Sequence, residues 1–368
     1  MDRSQQTLCF SGDGAINVNL FRLFNSINKF DSSVEVIDWD RGKKYKRSAI
    51  INNIHYSFIL RGWGYKNKGL WIGYINWMVK VFFYALFAKP KRIWASNLQN
   101  AFPIAFATII TKTPFIYYIH DNISISYAMP KWVKNFVEMV DNFVIKRAAT
   151  VLVPDENRIL PHAQQFKDKF VVLPNVPLKT DMAVAQNNYH EIFTVFVLGT
   201  IWDSRGIDTL LTAVDDSEKI RILVAGNIPQ KWVKDRVLSH PSVDYRGALS
   251  QEETFRLFDQ IDVVFVFYDP SLPICERASP TKLYESMMMG KPVIVNKEIM
   301  ISKKVLDWDI GYLCGYDDVN GLKSLLSSLS KMRSDLIGKG KKAYALYKTS
   351  YNWNIYEQKF WATLKDLS

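Results

Sequence analysis

Ala278-Ser279-Pro280-Thr281-Lys282-Leu283-Tyr284-Glu285-Ser286-Met287-Met288-Met289-Gly290-Lys291-Pro292-Val293-Ile294 reads as a helix with its start and stop written in, running into a strand. Ser279 is predicted as the N-cap and Pro280 as the first helical residue, where its missing N–H costs nothing. Thr281 and Lys282 complete a first turn that offers backbone N–H groups, a hydroxyl and an ammonium. A diphosphate suits such a turn, and the helix dipole favours it by about 1–2 kcal/mol. Glu285 lies one turn beyond Thr281, where its carboxylate can accept hydrogen bonds from a ribose diol. Gly290 ends the helix, and Pro292 opens a buried strand, Pro292–Val295. An ordinary capped helix explains Ser279, Pro280 and Gly290. It does not explain a lysine in the positive first turn, which dipole logic disfavours.

Outward from this segment, strands alternate with helices along the whole chain, the sign of parallel sheets with crossover helices. The first half has predicted strands at Thr7–Phe10, Val34–Asp38, Ile54–Leu60, Arg92–Ala95, Phe115–Ile119, Thr150–Val153 and Phe170–Leu173. The last runs into Pro174-Asn175-Val176-Pro177 and a polar run from Lys179 to His190, which reads as a linker. A second set follows at Phe193–Leu198, Ile220–Ala225, Val243–Tyr245, Val263–Phe267 and Pro292–Val295. The expectation is an α/β protein of two Rossmann-like domains, 1–175 and 176–351, facing a central cleft. Ligands belong at the carboxyl ends of the strands on that cleft.

Composition narrows the class. A length of 368 residues suits two domains with their own cores, and 48% hydrophobic residues mark a globular chain. Cys9, Cys275 and Cys314 are far apart and odd in number, which predicts neither a metal site nor a disulfide framework and suits a reducing cytoplasm. The polar start, Met1 to Gln6, predicts no secretory signal. The net charge of +11 falls wholly in residues 1–175, with 23 Lys/Arg against 12 Asp/Glu; residues 176–368 hold 24 of each. Between Arg41 and His120 stand 13 basic residues, no acid and 18 aromatics, Trp63, Trp71, Trp77 and Trp94 among them. Such a mixture suits an anionic membrane surface or a phosphorylated lipid-linked partner, with nucleic acid as the rival. Leu70 to Ala88 is mostly apolar but carries Asn76 and Lys80. Trp71, Ile75, Met78, Phe82 and Leu86 recur at helical spacing, which predicts an amphipathic helix, either packed on its sheet or facing a membrane.

The segment around 277–294 resembles the nucleotide-sugar motif of retaining glycosyltransferases with the GT-B fold, in particular family 4 of bacterial polysaccharide and lipid glycosylation. The resemblance implies that Ser279, Thr281 and Lys282 cradle the donor diphosphate and that Glu285 binds the ribose. The family pairs this glutamate with another a fixed distance upstream; Arg277 stands there instead, with Glu276 displaced by one. As a fork-shaped donor, Arg277 suits phosphate or a sugar hydroxyl. Phe196-Val197-Leu198-Gly199-Thr200 and Ser204-Arg205-Gly206-Ile207 look like the family's strand, glycine loop and helix start. Thr200 replaces the arginine expected after Gly199. Arg205 takes the place of the phosphate-binding lysine, or is a solvated residue at a helix start. Phe10-Ser11-Gly12-Asp13-Gly14 follows the first strand, and Gly12 and Gly14 would let a ligand approach the backbone; in the family this loop faces the donor. His120 ends a strand, where the family has a histidine that contacts the transferring sugar; without the resemblance a structural histidine is the better reading. The C-terminal helix, 352–368, resembles one that packs back on the first domain.

The resemblance implies a metal-independent, retaining hexosyltransferase without a cofactor, in cell-surface polysaccharide biosynthesis. It would use a UDP- or GDP-sugar and a lipid-linked or glycan acceptor, and would lie peripherally on the cytoplasmic face of the cell membrane through its basic, aromatic half. No nucleic acid is expected. Departing diphosphate would help deprotonate the acceptor, so orientation and phosphate stabilisation matter more than a nucleophile. A sugar-nucleotide 2-epimerase of the same fold is the alternative, and a basic nucleic-acid-binding protein another. A dehydrogenase is disfavoured, because Asn17 stands where its third glycine belongs. Asp38-Trp39-Asp40 matches the Asp-x-Asp metal signature of the other major glycosyltransferase fold. At the end of a second strand it reads as the polar end of an ordinary strand.

Overall fold

The computed structural model describes residues 6–12, 18–31, 33–63, 69–178, 191–214 and 219–365. Gly14, Asn17 and the 179–190 linker lie outside the described residues. The chain divides into two compact units, Met1–Pro174 with Tyr356–Ser368, and Asn175–Ile355.

The first unit holds strands β1 (Thr7–Phe10), β2 (Val34–Asp40), β3 (Ser48–Ile51), β4 (Ile54–Arg61), β5 (Arg92–Ser96), β6 (Phe115–Tyr118), β7 (Thr150–Val153) and β8 (Phe170–Val172). Its helices are α1 (Val18–Phe30), α2 (Leu70–Ala88), α3 (Leu98–Thr111), α4 (Ile123–Ser126) and α5 (Lys131–Arg147). The sheet order is β3-β4-β2-β1-β5-β6-β7-β8, parallel except for β3 against β4. Strands β1, β2 and β5 are buried along their whole length, as apolar runs covered on both faces should be. β4 alternates buried and open positions toward the edge. The β3–β4 hairpin was not foreseen. It turns on Asn52 and Asn53, both at positive φ (49° and 64°), the conformation of a tight two-residue hairpin that asparagine tolerates.

Helix α2 has the predicted span, but its buried stripe is not the predicted one. Gly73, Trp77, Val81, Ala85 and Ala88 face inward, whereas Trp71 and Ile75 are exposed. The helix is apolar nearly all round, so steric fit decides which stripe packs. A Cβ on Gly73 would lie 2.8 Å from the Trp39 ring, so only glycine allows α2 this close to the sheet. Trp77 then stacks on Trp39 with centroids 6.1 Å apart. Residues 356–365, the end of the last helix, also pack on this unit. Phe360 meets Trp94 edge-on at 5.6 Å, Arg92 Nη1 donates to the Leu364 carbonyl at 2.8 Å, and Trp361 Nε1 donates to the Ser26 carbonyl at 3.1 Å.

The second unit holds β9 (Phe193–Leu198), β10 (Ile220–Ala225), β11 (Val243–Tyr245), β12 (Val263–Val266), β13 (Val293–Asn296) and β14 (Gly311–Cys314), in the all-parallel order β11-β10-β9-β12-β13-β14. Its helices are α6 (Ile207–Val214), α7 (Lys231–Ser239), α8 (Gln251–Arg256), α9 (Pro273–Glu276), α10 (Thr281–Met288), α11 (Ile301–Asp307), α12 (Val319–Leu329), α13 (Arg333–Ser350) and α14 (Trp353–Lys365), the last ending on the first unit. β14 was not foreseen. The core lies between sheet and helices, around Val195, Val197, Ile222, Val224, Phe265 and Leu326. In each sheet the strand order reverses beside one strand, β1 in the first unit and β9 in the second. Crevices for ligands open at the carboxyl ends of strands flanking such points.

Candidate functional site

In the second unit, the chain leaves β9 at Gly199, which has φ +90° and open space where a side chain would stand. The loop continues through a 3-10 turn, Asp203–Arg205, to Gly206. Gly206 has φ +63°, and a Cβ there would lie 2.9 Å from Phe267. That contact seats Arg205 beside the end of β12. The Arg205 guanidinium lies over the Tyr268 ring at 4.0 Å, and Lys282 Nζ lies over the same ring at 5.6 Å. Arg205 Nη1 also reaches Cys275 Sγ at 3.9 Å. Two like charges thus converge on one aromatic face at the carboxyl edge of the sheet. Attraction to a π face offsets part of their repulsion.

Helix α10 begins one residue later than the sequence predicts. Pro280, not Ser279, is the N-cap, with extended φ/ψ of −75° and 127° and no side-chain cap. With ψ at 127°, Pro280 itself lies outside the helical region, so the first helical residue is Thr281. Ser279 is buried, and its carbonyl accepts a hydrogen bond from Asn175 Nδ2 at 3.0 Å. Thr281 and Lys282 therefore form the first turn without a side-chain cap. Gly290, at φ +67°, follows the helix, and β13 begins at Val293 rather than Pro292. Burial pushes the Lys282 ammonium down to about 7; Arg205 adds to this and Glu285 opposes it. Burial raises the Glu285 carboxyl to about 7, against the pull of Lys282 and a hydrogen bond from the Gln251 side chain. Both groups are thus held where charge is costly, and an anion beside Lys282 would restore its proton. Arg277 is half-buried at the end of α9, its N–H donating to the Pro273 carbonyl at 3.3 Å.

In the first unit, the carboxyl ends of β2, β1, β5 and β6, neighbours in the sheet, carry a second cluster. Gly12 is buried at φ +67°, and a Cβ there would lie 2.9 Å from Trp77 Nε1. Its carbonyl accepts from Arg41 Nη2 at 2.8 Å. Trp77 Nε1 donates to Asn100 Oδ1 at 2.7 Å, and Asn100 Nδ2 donates to the Ser11 carbonyl at 2.8 Å. His120 follows β6, half-buried. Its backbone N–H and that of Asp121 both donate to Asn97 Oδ1, at 3.0 and 3.1 Å. His120 Nδ1 lies 3.5 Å from the Tyr118 hydroxyl, and Nε2 lies 3.9 Å from Asp121 Oδ2. Asn97 itself sits at φ +60°. Strain of this kind collects at functional loops.

Sequence reasoning missed Tyr268, Gln251, Asn97 and Arg41. Tyr268 and Asn97 each stand just past the end of a strand beside the reversal of order, a position that marks them once the topology is known. Asp40 proves to be part of a turn. Its carboxylate accepts from the Lys44 and Tyr45 N–H groups, both at 2.9 Å, and lies 3.6 Å from Arg61 Nε. Asp38 accepts from the Trp39 N–H at 2.8 Å. No group of three His, Cys, Asp or Glu side chains that could hold a metal ion is found among the described residues.

Residues 192–331 match the family model Glycosyl transferases group 1. Sucrose-phosphate synthase from Thermosynechococcus elongatus is similar in structure, with a TM-score of 0.78, 14% identity and coverage of 98% of this chain and 99% of that one. HepE of Anabaena, solved with UDP and glucose, superposes with a TM-score of 0.71 at 14% identity, covering 98% and 99%. A glycosyltransferase from Rickettsia africae gives 0.70 at 12% identity, covering 98% of each chain. No curated protein sequence matches the chain. The fold is that of the GT-B glycosyltransferases. Together with the family match over the second unit, it supports a glycosyl-transfer role.

Proposed function

We propose that this protein is a retaining, metal-independent glycosyltransferase that takes its sugar from a UDP- or GDP-sugar held by the second unit. The carrying observation is the convergence of Arg205 and Lys282 on Tyr268, beside the open Gly199 and the start of α10. In this reading Gly199, Arg205, Thr281, Lys282 and the Ser279 segment hold the diphosphate. Glu285 takes the ribose, and Arg277 adds a donor for phosphate or a sugar hydroxyl. The cations and the helix dipole stabilise the departing diphosphate, which removes the acceptor's proton. His120 has the sugar-positioning role, its backbone fixed by Asn97. HepE, of the same fold, was crystallised with UDP-glucose, which makes that donor the first to test.

The acceptor in this proposal is lipid-linked, the setting cell-surface polysaccharide synthesis, and the place of work the cytoplasmic face of the membrane. Support comes from the first unit's surface. Helix α2 is long and apolar enough to cross a membrane by length and composition, yet one stripe of it packs on the sheet. Its other side leaves Trp71 (64%) and Phe87 (74%) exposed, and Ile110 of α3 (65%) and Trp132 of α5 (74%) are exposed as well. Open apolar side chains in such number, on a unit rich in Lys and Arg, suit an anionic lipid surface.

A panel of nucleotide sugars, scored by thermal stabilisation of the protein and of Glu285→Ala, tests the donor site. The matching donor should stabilise the parent and fail with the variant; stabilisation of neither refutes the reading. Flotation with anionic and neutral liposomes at low and high salt tests the membrane. Binding to anionic vesicles that weakens with salt is expected, whereas failure to bind them at low salt, with efficient transfer to a soluble sugar, refutes it.

A further inference from the structure

A cavity of about 860 Å³ lies wholly within the first unit, beside the loop that carries His120. That volume falls within the range of small-molecule sites. Its wall has two chemistries. Arg41, Asn97 and Asp121 come from the carboxyl ends of β2, β5 and β6. Two of them hold parts of the cluster described above: Arg41 fixes Gly12, and Asn97 fixes the His120 backbone. The rest of the lining is mostly apolar and comes from helices, with Met78 on α2, Phe102 on α3, and Val137 and Val140 on α5. Tyr127 and Phe136 also line it and are 66% and 57% exposed, so the apolar wall continues into the exposed surface of α5 and the end of α4. A sugar alone would leave the aliphatic part of this wall, Met78, Val137 and Val140, without use, because sugar hydroxyls stripped of water need hydrogen-bonding partners.

We infer that this cavity receives the hydrocarbon chain of the acceptor, so that the acceptor is an amphiphilic phosphate. Its polar head lies at the strand ends by Arg41 and Asn97, with the Asp121 carboxylate turned to Arg158 Nη1 at 3.5 Å, and the first part of its chain lies among α2, α3 and α5. This deepens the glycosyl-transfer reading and rests on it for the word acceptor. The chain would be recognised by length, because each buried methylene raises affinity about fourfold. The head would be recognised weakly when alone. The Arg41 guanidinium on the polar wall favours a phosphate between chain and sugar.

Hexyl, octyl and decyl phosphate, below their micellar concentrations, can be titrated calorimetrically into the full chain, with inorganic phosphate as the head-only control. Affinity should rise about fourfold per methylene, roughly two orders of magnitude from hexyl to decyl, and inorganic phosphate should not compete. Val140→Trp and, independently, Met78→Trp fill the cavity from two different helices. Each should lose tenfold or more in decyl phosphate affinity while keeping the parent's cooperative thermal unfolding and its vesicle binding. A variant that loses cooperative unfolding is set aside for the other. Absence of chain-length dependence overturns the inference, as does undiminished decyl phosphate binding in a folded variant, which would place the chain on the outer apolar surface. UDP-glucose and GDP-mannose titrations of the parent separate the two readings. Alkyl phosphate binding without donor binding leaves the cavity standing and removes the transfer reaction, and the converse removes the cavity alone.

Discussion

Donor binding should draw a proton from solution, and Lys282 is the group that takes it up. Burial and the neighbouring Arg205 hold its ammonium at about 7, far below the 10.5 of a free lysine. A diphosphate beside it reverses both influences and drives the value back up. The sign follows directly. Donor affinity is full below pH 7, where Lys282 is already charged, and falls as pH rises toward the value in the complex. The slope approaches tenfold per pH unit, or about 1.4 kcal/mol. Between pH 7 and 9 a loss of roughly tenfold to hundredfold is expected, with close to one proton taken up per donor at pH 8. Calorimetry in buffers of different ionisation enthalpy measures that proton. Lys282→Arg keeps the charge and cannot titrate in this range, so its affinity should be nearly independent of pH. Glu285 shifts the other way, so Glu285→Gln should leave most of the slope in place if Lys282 carries it. Flat affinity from pH 6 to 9 in the parent, or an unchanged slope in Lys282→Arg, would refute the reasoning.

Tyr268→Leu should weaken donor binding by about 1–2 kcal/mol, roughly five- to thirtyfold, because two cations lose their aromatic support, while Tyr268→Phe should bind nearly as the parent; calorimetry with the matching donor decides. Asn97→Ala leaves the His120 and Asp121 N–H groups without their acceptor, at about 1–3 kcal/mol each. It should lower the unfolding temperature and slow transfer, and Asn97→Asp, which keeps an acceptor oxygen, should recover part of both. Transfer should survive EDTA; activity abolished by chelation and restored by Mn²⁺ would return Asp38 and Asp40 to consideration.

Much of the architecture was legible because parallel strands buried on both faces are short apolar runs, and nearly all such runs became strands within a residue or two. The exceptions have local causes. Ser48–Ile51 is an edge strand of alternating exposure, too weakly apolar to stand out, although Asn52-Asn53 was a hairpin signal in plain view. Gly311–Cys314 is four residues at the opposite kind of edge, and only Cys314 is buried. The helix start at 279–281 slipped by one because serine and proline are both good first-turn residues in isolation. The extended ψ of Pro280, 127°, moves the first helical residue to Thr281.

The site divides along a different line. Spacing within one element is readable, so Lys282 and Glu285 on one helix, or Gly12 after its strand, could be proposed from the sequence. Convergence of elements is not readable. Arg205, Tyr268 and Lys282 meet because β9 and β12 are neighbours in the sheet, a pairing that no local pattern encodes. The same holds for α2, where an apolar residue at nearly every position leaves the period without information. The informative residue was the smallest one. Gly73 is the place where helix and sheet touch, and its identity is dictated by the Trp39 ring beneath it. Once that contact fixes the rotation of α2, Trp77 must face Gly12 and Asn100, and Met78 must face the cavity beside them. One glycine thus orients both the loop after β1 and the apolar wall next to it. Gly73→Ala is therefore expected to weaken alkyl phosphate binding, read calorimetrically, and to lower the unfolding temperature, because the added methyl must displace the Trp39 ring.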